Sequence, residues 1–221
     1  MSALLRLFIV VLPWSVKRWA LQRFYRYQLH PQSRIGLAWV FPARLIMERR
    51  ASIGHLTVCK GLELVELGEH ASIGRLNWIS AYPLNRPPHF AHLAARRPQL
   101  LLGAHAAVTH RHILDCTEQV SIGSFTTVAG YRSQILTHSI DLGECRQDAK
   151  PVVIGSYCFI GTACTLLGGA VIADFCVVGA NALVNGAHEE RYRLYAGVPA
   201  RAVANLDPQL KYFTRCEGFV V

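Results

Sequence analysis

The sequence predicts an all-β solenoid, and two regularities carry that prediction. Between residues 154 and 184 a large apolar residue recurs at every sixth position: Ile154, Ile160, Leu166, Ile172, Val178 and Val184. Four places after each of the first five stands a small residue: Cys158, Cys164, Ala170, Cys176 and Ala182. A six-residue period matches neither a helix nor an ordinary half-buried strand, and fixed-period self-similarity is typical of repeat architectures. Three such hexads build one triangular coil, with the large residue at its centre and the small one where the chain bends inward.

Composition and charge fit a single domain that begins with a basic segment. The chain has 221 residues, of which 52% are hydrophobic and 17% are charged, so a folded core is expected rather than disorder. The net charge is +9, and residues 1–47 contain seven Arg or Lys residues and no acid. This asymmetry favours contact with an anionic membrane surface over the competing interpretation, a nucleic-acid-binding arm.

Residues 1–30 are predicted to form an amphipathic helix. The longest charge-free run, residues 7–16, spans ten residues, whereas a membrane-spanning helix needs about 20. No small-residue cleavage site follows it, which argues against a signal peptide. Two compatible roles stay open for this helix. It can cap the open end of the solenoid, or it can lie in the membrane interface with its aromatic residues at headgroup depth: Trp14, Trp19, Phe24 and Tyr25.

The solenoid is expected over residues 31–204, with hexads recognisable from Ile53 onward and a C-terminal tail over residues 205–221. Two excursions interrupt the repeat, at residues 82–99 and 139–151, and the first is rich in Pro and basic residues, as loops are. A loop of this length in a compact solenoid is expected to be functional and to cover an acceptor site, with a tolerated surface insertion as the alternative.

The seven cysteines do not predict a disulfide or zinc framework. Their number is odd, no Cys-x-x-Cys occurs, and Cys158, Cys164 and Cys176 occupy the small inward positions of the hexads. A free Cys at such a position acts as a compact hydrophobe. We therefore expect a reduced, cytoplasmic setting.

Three sequence motifs accompany the repeat: Gln134-Ile-Leu-Thr-His138-Ser-Ile-Asp141, Ile154-Gly-Ser-Tyr-Cys-Phe-Ile-Gly-Thr162 and Tyr195-Ala-Gly-Val-Pro-Ala-Arg201. With them, residues from about 50 to 204 resemble the hexapeptide-repeat acyltransferases. The resemblance is closest to the galactoside, maltose and nodulation-factor O-acetyltransferase group and its relatives in exopolysaccharide biosynthesis. It implies a left-handed parallel β-helix, acetyl-CoA as co-substrate and a homotrimer.

The same resemblance implies that His138 is the catalytic general base, acting on the acceptor hydroxyl. An imidazole with a pKa near 6.5 suits this task at neutral pH, and general-base help is typically worth about 10²–10⁴-fold in rate. A partner is needed to set the tautomer of the ring, and Asp141 is the nearest carboxylate along the chain. A turn-forming role for Asp141 stays open, as does a backbone carbonyl as the partner of His138.

For the acceptor, the family's pattern maps an acid that lines the site onto Asp115. It also maps a polar Asn onto the position that Val108 occupies here, which is a departure from the pattern. His110 and His112 lie close by in the chain and are further candidates for acceptor binding.

For the donor, the resemblance maps the groove of the pantetheine arm of acetyl-CoA onto Thr162, Ala180 and Asn185, with Arg201 near the adenosine phosphates. Small residues let an extended amide chain lie along the coil, and an Arg can make charge-assisted bonds to phosphate. No metal is expected, because the zinc-dependent carbonic anhydrases of this fold carry ligands at positions where this chain has Thr162 and Leu167.

These features predict an O-acetyltransferase that moves acetyl from acetyl-CoA to a saccharide hydroxyl by direct attack on the thioester. The saccharide is expected to be a lipid-linked or exopolysaccharide precursor. The enzyme is expected to be peripheral on the cytoplasmic face of the inner membrane, with no nucleic-acid partner. Two alternatives remain: an N-acetyltransferase acting on an amino sugar or small amine, and a catalytically silent membrane-bound solenoid that serves as an assembly module.

Overall fold

The computed structural model describes residues 3–84, 89–218 and 220, and in them the chain winds into a parallel β-helix with three sheets. Residues 85–88, part of the predicted excursion 82–99, lie outside the described residues, as do residues 1, 2, 219 and 221. Sheet 1 consists of Gln28–Leu29, Arg44–Met47, Leu64–Leu67, Gln99–Leu102, Val120–Ile122, Val152–Ile154, Val171–Ile172 and Ala187–His188. Sheet 2 consists of Arg34–Ile35, Ser52–Ile53, Ser72–Ile73, Ala107–Val108, Thr127–Val128, Phe159–Ile160, Val177–Val178, Arg193–Ala196 and Arg201–Asn205. Sheet 3 consists of Trp39–Phe41, Val58–Lys60, Trp78–Ser80, Ile113–Asp115, Gln134–Leu136, Thr165–Leu167 and Leu183–Val184.

The chain passes through sheets 1, 2 and 3 in turn, and within each sheet strands of consecutive coils pair in parallel; the exception is Arg201–Asn205, which returns antiparallel to Arg193–Ala196. The register stacks equivalent hexad residues, as Ile122, Ile154 and Ile172 do in sheet 1. The six large hexad residues from Ile154 to Val184 are at most 1% exposed and form the centre of the coil. The predicted left-handed parallel β-helix is confirmed.

The small hexad positions are buried as well, at most 1% exposed from Cys158 to Ala182. Cys158, Cys164 and Cys176 are free thiols, and Cys158 and Cys164 place Sγ 3.0 and 3.1 Å from a main-chain carbonyl oxygen of a neighbouring coil. Burial raises the pKa of the Cys158 thiol to about 12, so it stays protonated and packs as a small apolar group.

The coil turns at three corners, which we name by the sheets they join. At the 1–2 corner six rings stack in a ladder with centroid spacings of 4.7 to 5.3 Å: His70, His105, Phe125, Tyr157, Phe175 and Tyr192. The C-terminal helix, which we call α3 (Lys211–Thr214), lies on this ladder through Phe213, whose ring stands edge-on to those of Phe175 and Tyr192. The tail is thereby fixed to the side of the coil.

The coil begins at Gln28, earlier than the first recognisable hexad at Ile53. The early coils have longer turns at the 3–1 corner, where Gly61 adopts a positive φ of 82°. Cys59 and Leu67, successive central residues on either side of that turn, are eight positions apart instead of six. The extra residues interrupt the period on which the sequence prediction depended.

Two helices precede the coil where one was expected: α1 (Ala3–Val11) and α2 (Trp14–Tyr25). Pro13 separates them, because it lacks the N–H that would continue the first helix and its ring opposes a helical neighbour. Ala20 and Leu21 of α2 are buried at the start of the coil. None of the described helices is long and apolar enough to span a bilayer.

Lys17 ties both helices to the first coil. Its Nζ donates to the carbonyl oxygen of Val10 in α1 at 3.0 Å and to that of Gly36 in the coil at 2.6 Å. Burial lowers the pKa of the Lys17 ammonium to about 8. The two helices therefore close the N-terminal end of the core, which is the capping role considered for this segment.

Candidate active site

His138 and Asp115 meet at the 3–1 corner. Asp115 ends a strand of sheet 3 and is in register with Leu136 in the next coil, and His138 follows two residues later. His138 Nδ1–H donates to Asp115 Oδ2 at 2.5 Å, and the main-chain N–H of His138 donates to the same oxygen at 3.1 Å. Because Nδ1 holds the proton facing the carboxylate, Nε2 carries the free lone pair of the neutral ring.

Two threonines hold the Asp115 carboxylate in place. Thr117 donates to Oδ1 from its hydroxyl at 2.6 Å and from its main-chain N–H at 3.2 Å. The Thr137 hydroxyl donates to the main-chain oxygen of Asp115 at 2.9 Å and also lies 3.2 Å from Oδ2. The side chain of Asp115 is 11% exposed and that of His138 is 48% exposed. The carboxylate is therefore buried and fixed, while the imidazole faces outward.

The hydrogen bond between Asp115 and His138 shifts the pKa values of the two groups in opposite directions. Burial raises the pKa of the Asp115 carboxyl, but the hydrogen bonds from His138 and Thr117 outweigh burial, and the net pKa is lowered. The hydrogen bond to Asp115 raises the pKa of His138, against a smaller lowering from burial and from the charge of Arg96. The arrangement stabilises the imidazolium that forms when His138 accepts a proton.

A cleft of about 330 Å³ opens over this pair. It is lined by Ser80, Ala81, Tyr82, His89, Phe90, Asp115, Thr117, His138 and Gln147. The first excursion contributes Tyr82, His89 and Phe90, and the second contributes Gln147 from an antiparallel hairpin made of His138–Asp141 and Arg146–Ala149. The two interruptions of the repeat thus form the walls of one cleft.

The first excursion is anchored by Arg96, a buried guanidinium. Its Nη1 donates to the main-chain oxygens of Tyr82 at 2.8 Å and Thr117 at 2.6 Å. The guanidinium also lies over the Phe90 ring, 4.6 Å from the centroid, and Phe90 in turn stands edge-on to His138 at 6.3 Å. Arg96, Thr117 and Phe90 were missed by the sequence prediction.

Two roles were considered for Asp141, orienting His138 and forming a turn. The contacts of Asp141 in the structure are those of a turn-forming residue. Its Oδ1 accepts from the main-chain N–H groups of Gly143 at 3.0 Å and Glu144 at 3.2 Å, which caps the hairpin turn. Asp141 pairs with Arg146 across the hairpin, and Asp115 holds the position beside His138. In this geometry the carboxylate that is hydrogen-bonded to His138 is that of Asp115 and not, as the sequence suggested, that of Asp141.

The two other histidines proposed for the acceptor lie at the 2–3 corner, away from this cleft. His112 is 1% exposed; its Nδ1 accepts from the main-chain N–H of Ser133 at 3.1 Å, and its Nε2 lies 2.9 Å from the Thr109 hydroxyl. Burial lowers the pKa of His112 to about 4, so it is a neutral structural residue. His110 lines a different cleft, and Val108 is buried inside the coil at 1% exposure.

The four donor candidates are all exposed, but the cleft over His138 does not include them. Thr162 and Ala180 occupy equivalent positions in consecutive coils at the 2–3 corner. Arg201 begins the antiparallel strand that closes sheet 2. Asn185 lies at the 3–1 corner, directly after Val184. Within the part of the chain that the structure describes, no three His, Cys, Asp or Glu side chains are grouped as metal ligands.

Sheet 3 ends in a column of residues that runs along the 3–1 corner. Ser80, Asp115, Leu136 and Leu167 are in register in consecutive coils. Leu166 pairs with Val184, which puts Asn185 opposite Leu167 at the next step. We call this set the edge column. It places Asn185 two coils from Leu136, about 10 Å away at the usual strand spacing.

Comparison with known proteins identifies the fold. No family model matches the chain, and neither does any curated protein. A hexapeptide-repeat-containing acetyltransferase from Vibrio cholerae has a TM-score of 0.50 at 20% identity, over 92% of this chain and 87% of that one. AntD, an N-acyltransferase from Bacillus cereus solved with dTDP and 3-hydroxybutyryl-CoA, has a TM-score of 0.54 at 13% identity, over 89% of each chain.

A variant of AntD solved with dTDP-4-amino-4,6-dideoxyglucose and coenzyme A has a TM-score of 0.54 at 15% identity, over 74% of this chain and 81% of that one. At identities this low, what the likeness establishes is the architecture. The chain has the β-helix fold of the hexapeptide-repeat acyltransferases.

Proposed function

We propose that the protein is an acetyl-CoA-dependent O-acetyltransferase with a saccharide acceptor. The observation that carries the proposal is the hydrogen bond from His138 Nδ1 to Asp115, which leaves Nε2 as a base at an open cleft. Nε2 takes the proton of the acceptor hydroxyl as its oxygen bonds to the thioester carbonyl carbon. The carbon–sulfur bond then breaks, and the departing thiolate of CoA takes that proton from the imidazolium.

The lining of the cleft supports a saccharide acceptor. The ring of Tyr82, beside the largely buried ring of Phe90, offers a flat apolar face on which the C–H face of a sugar ring can pack. Ser80 and Gln147 offer hydroxyl and amide groups for hydrogen bonds to sugar hydroxyls. An apolar wall combined with a few polar groups is the usual character of a small-molecule site.

The proposal includes a homotrimer, in which a neighbouring copy brings the donor groove to His138. This accounts for the exposure of Thr162 and Ala180 and for their location on a different corner from His138. A complementation experiment tests it. His138→Ala and Thr162→Trp subunits are each expected to form inactive homo-oligomers, whereas mixed oligomers regain part of the activity. Mixed oligomers without activity would contradict a shared site.

A second candidate is N-acylation of an amino sugar. AntD, which matches the fold, is an N-acyltransferase solved with a dTDP-linked amino sugar. A neutral base beside a cleft serves an amine nucleophile as well as a hydroxyl, because both lose a proton on acylation. Mass spectrometry of the product distinguishes the two, since an O-acetyl ester is cleaved by mild base and an acetamide is not.

Acceptor-dependent release of CoA thiol tests the enzyme proposal. With a panel of sugars, sugar nucleotides and amino sugars, the wild type is expected to release thiol above the hydrolysis background. His138→Ala is expected to lower the rate by about 10²–10⁴-fold. His92→Ala, an exposed histidine of the same excursion, is the matched control and should keep the wild-type rate. A wild type without acceptor-dependent release would favour the silent assembly module instead.

We also propose that α1 and α2 lie on the cytoplasmic face of a membrane. Leu4, Leu7, Phe8 and Val11 recur at helical spacing on α1 and are 56 to 79% exposed. Trp19 and Phe24 extend the apolar surface on α2, which also carries basic side chains. An amphipathic helix with basic residues suits an anionic lipid surface.

Flotation with vesicles tests this placement. Leu7→Glu combined with Phe8→Glu is expected to abolish flotation with phosphatidylglycerol vesicles, because it puts two charges into the apolar face. Val203→Glu, at an exposed apolar site remote from the helices, is the matched control and should float as the wild type does. Equal flotation of all three proteins would exclude α1 as the anchor.

A further inference from the structure

A second cleft, of about 560 Å³, lies at the 2–3 corner of the early coils. It is lined by His55, Leu56, Arg75, Leu76, His110, Arg111 and Tyr131. The lining residues come from four consecutive coils, so the cleft runs along the coil axis. It shares no lining residue with the cleft over His138. We call it the corner cleft.

The two imidazoles of the corner cleft are fixed as hydrogen-bond donors. His55 Nδ1 accepts from the main-chain N–H of Leu37 at 3.1 Å, and His110 Nδ1 accepts from that of Arg75 at 2.9 Å. A neutral imidazole whose Nδ1 accepts must carry its proton on Nε2. Each ring is therefore left with an N–H to offer to a ligand.

The two arginines of the corner cleft form no ion pair with any residue that the structure describes. Among the described residues, no carboxylate lies within ion-pair distance of Arg75 or Arg111. Both side chains are exposed, and none of the described lining residues is Asp, Glu, Asn or Gln. Every polar side chain here offers a donor, and the only one that can also accept is the Tyr131 hydroxyl.

Apolar surface completes the corner cleft. Leu56 is 64% exposed and Leu76 is 43% exposed, in consecutive coils beside the two arginines. Both leucines adopt positive φ, 58° and 61°, because they stand at the turn of the coil. A ligand held by its anionic group at the arginines would place an adjoining apolar part on these side chains.

We propose that the corner cleft binds the phosphoryl group of a phosphorylated ligand. A donor-only lining with two unpaired guanidinium groups suits a phosphate, whose oxygens accept paired N–H bonds from arginine. A carboxylate would use one guanidinium, whereas a diphosphate can engage both. The phosphoryl group belongs either to a soluble nucleoside diphosphate or to a lipid phosphate, and the experiment separates these sources.

The corner cleft is a binding site distinct from the proposed acyl-transfer site. Arg111 stands just before the strand Ile113–Asp115 and Asp115 ends it, so the two sites are about 13 Å apart along the chain. The assignment concerns binding alone. Binding to the corner cleft is measured without acetyl-CoA. A failure to bind and a failure of the proposed acetyl transfer are therefore separate results.

Calorimetric titration with pyrophosphate at low salt tests the assignment. The wild type is expected to bind saturably, and Arg75→Gln combined with Arg111→Gln to bind at least about tenfold more weakly, because charge-assisted hydrogen bonds are lost. The matched control is Arg34→Gln combined with Arg44→Gln, which removes the same charge from two exposed arginines outside the cleft. It should bind like the wild type. Thermal melting checks that all three proteins are folded.

Two further arms identify the source of the phosphoryl group. Uridine diphosphate that binds the wild type but not the cleft variant, with uridine binding neither, indicates a soluble nucleotide. Binding of a soluble short-chain phosphatidylglycerol by the wild type but not by the cleft variant indicates a lipid phosphate. A wild type that does not bind pyrophosphate, or a cleft variant that binds it as tightly as the control does, would overturn the assignment.

Discussion

Asp115 and His138 are 23 positions apart in the chain, yet His138 Nδ1 lies 2.5 Å from Asp115 Oδ2, because Asp115 is in register with Leu136 of the next coil and His138 follows Leu136 by two residues. The parallel register of sheet 3 brings them together. Neither residue depends on a flexible loop for its position, since Asp115 belongs to the coil and the main-chain N–H of His138 is bonded to the same carboxylate.

Substituting the two candidate carboxylates separately should show which one serves His138. Asp115→Asn is expected to lower kcat by at least about tenfold, because the imidazolium formed on proton transfer loses its charged partner. Asp141→Asn, the matched control in the adjacent hairpin, should change kcat little because that carboxylate caps the turn. The measurement is steady-state thiol release. A larger loss for Asp141→Asn would reverse the assignment.

The pH dependence of kcat/KM should show the raised pKa of His138. Only the neutral imidazole can accept a proton, so activity is expected to rise with pH, with a half-maximum above the ordinary His value of 6.5. In Asp115→Asn the half-maximum should move to lower pH, because the stabilisation of the imidazolium is gone. The part of the profile where activity falls at low pH is its acid limb. An acid limb with the same midpoint in both proteins would contradict the pairing of His138 with Asp115.

Arg96 is expected to position the wall of the cleft. Arg96→Met removes the donors to the main-chain oxygens of Tyr82 and Thr117, so KM for the acceptor should rise more than KM for acetyl-CoA. The acid limb should also move to higher pH, because the Arg96 charge lowers the pKa of His138. A merely structural role would not predict that shift. Arg97→Met, at an exposed neighbour, is the control for both measurements.

Thiol titration should separate the cysteines by burial. Cys145 and Cys216 are exposed, and the other five of the seven are buried. Two thiols are therefore expected to react promptly with an aromatic disulfide reagent in the native protein, and all seven after denaturation. Burial raises the pKa of both Cys59 and Cys158 to about 12, which suppresses thiolate at these sites. Prompt reaction of more than two thiols would indicate a looser coil.

The core of the later coils could be predicted because each hexad repeats the same pattern, with a large residue at the centre of the coil and a small one at the bend. The early coils were harder to predict, since the extra residues at the turn before Leu67 interrupt the period. His138 was found through its motif, but its partner was not. Asp141 is closer in the chain, whereas Asp115 is closer in space, and only the coil register decides between them.

The burial of Arg96 could not be predicted from the sequence for a different reason. Nothing in the sequence of the Pro-rich excursion distinguishes it from Arg97 beside it, yet one side chain is buried and the other exposed. The difference depends on the path by which the excursion returns to the coil, and that path is set by contacts with Tyr82 and Thr117. Loop conformations of this kind follow from tertiary contacts and carry no periodic signal.

The residues of the edge column are evenly spaced along the coil axis. Consecutive members are one strand spacing apart, about 4.8 Å, so the distance from Asp115 to Asn185 is a whole number of such units. Gaining or losing one complete coil between them would change this distance by one unit and leave the residues at both ends unaltered. Spacings along the 3–1 corner can thus change only in discrete increments, without altering the residues that each coil carries.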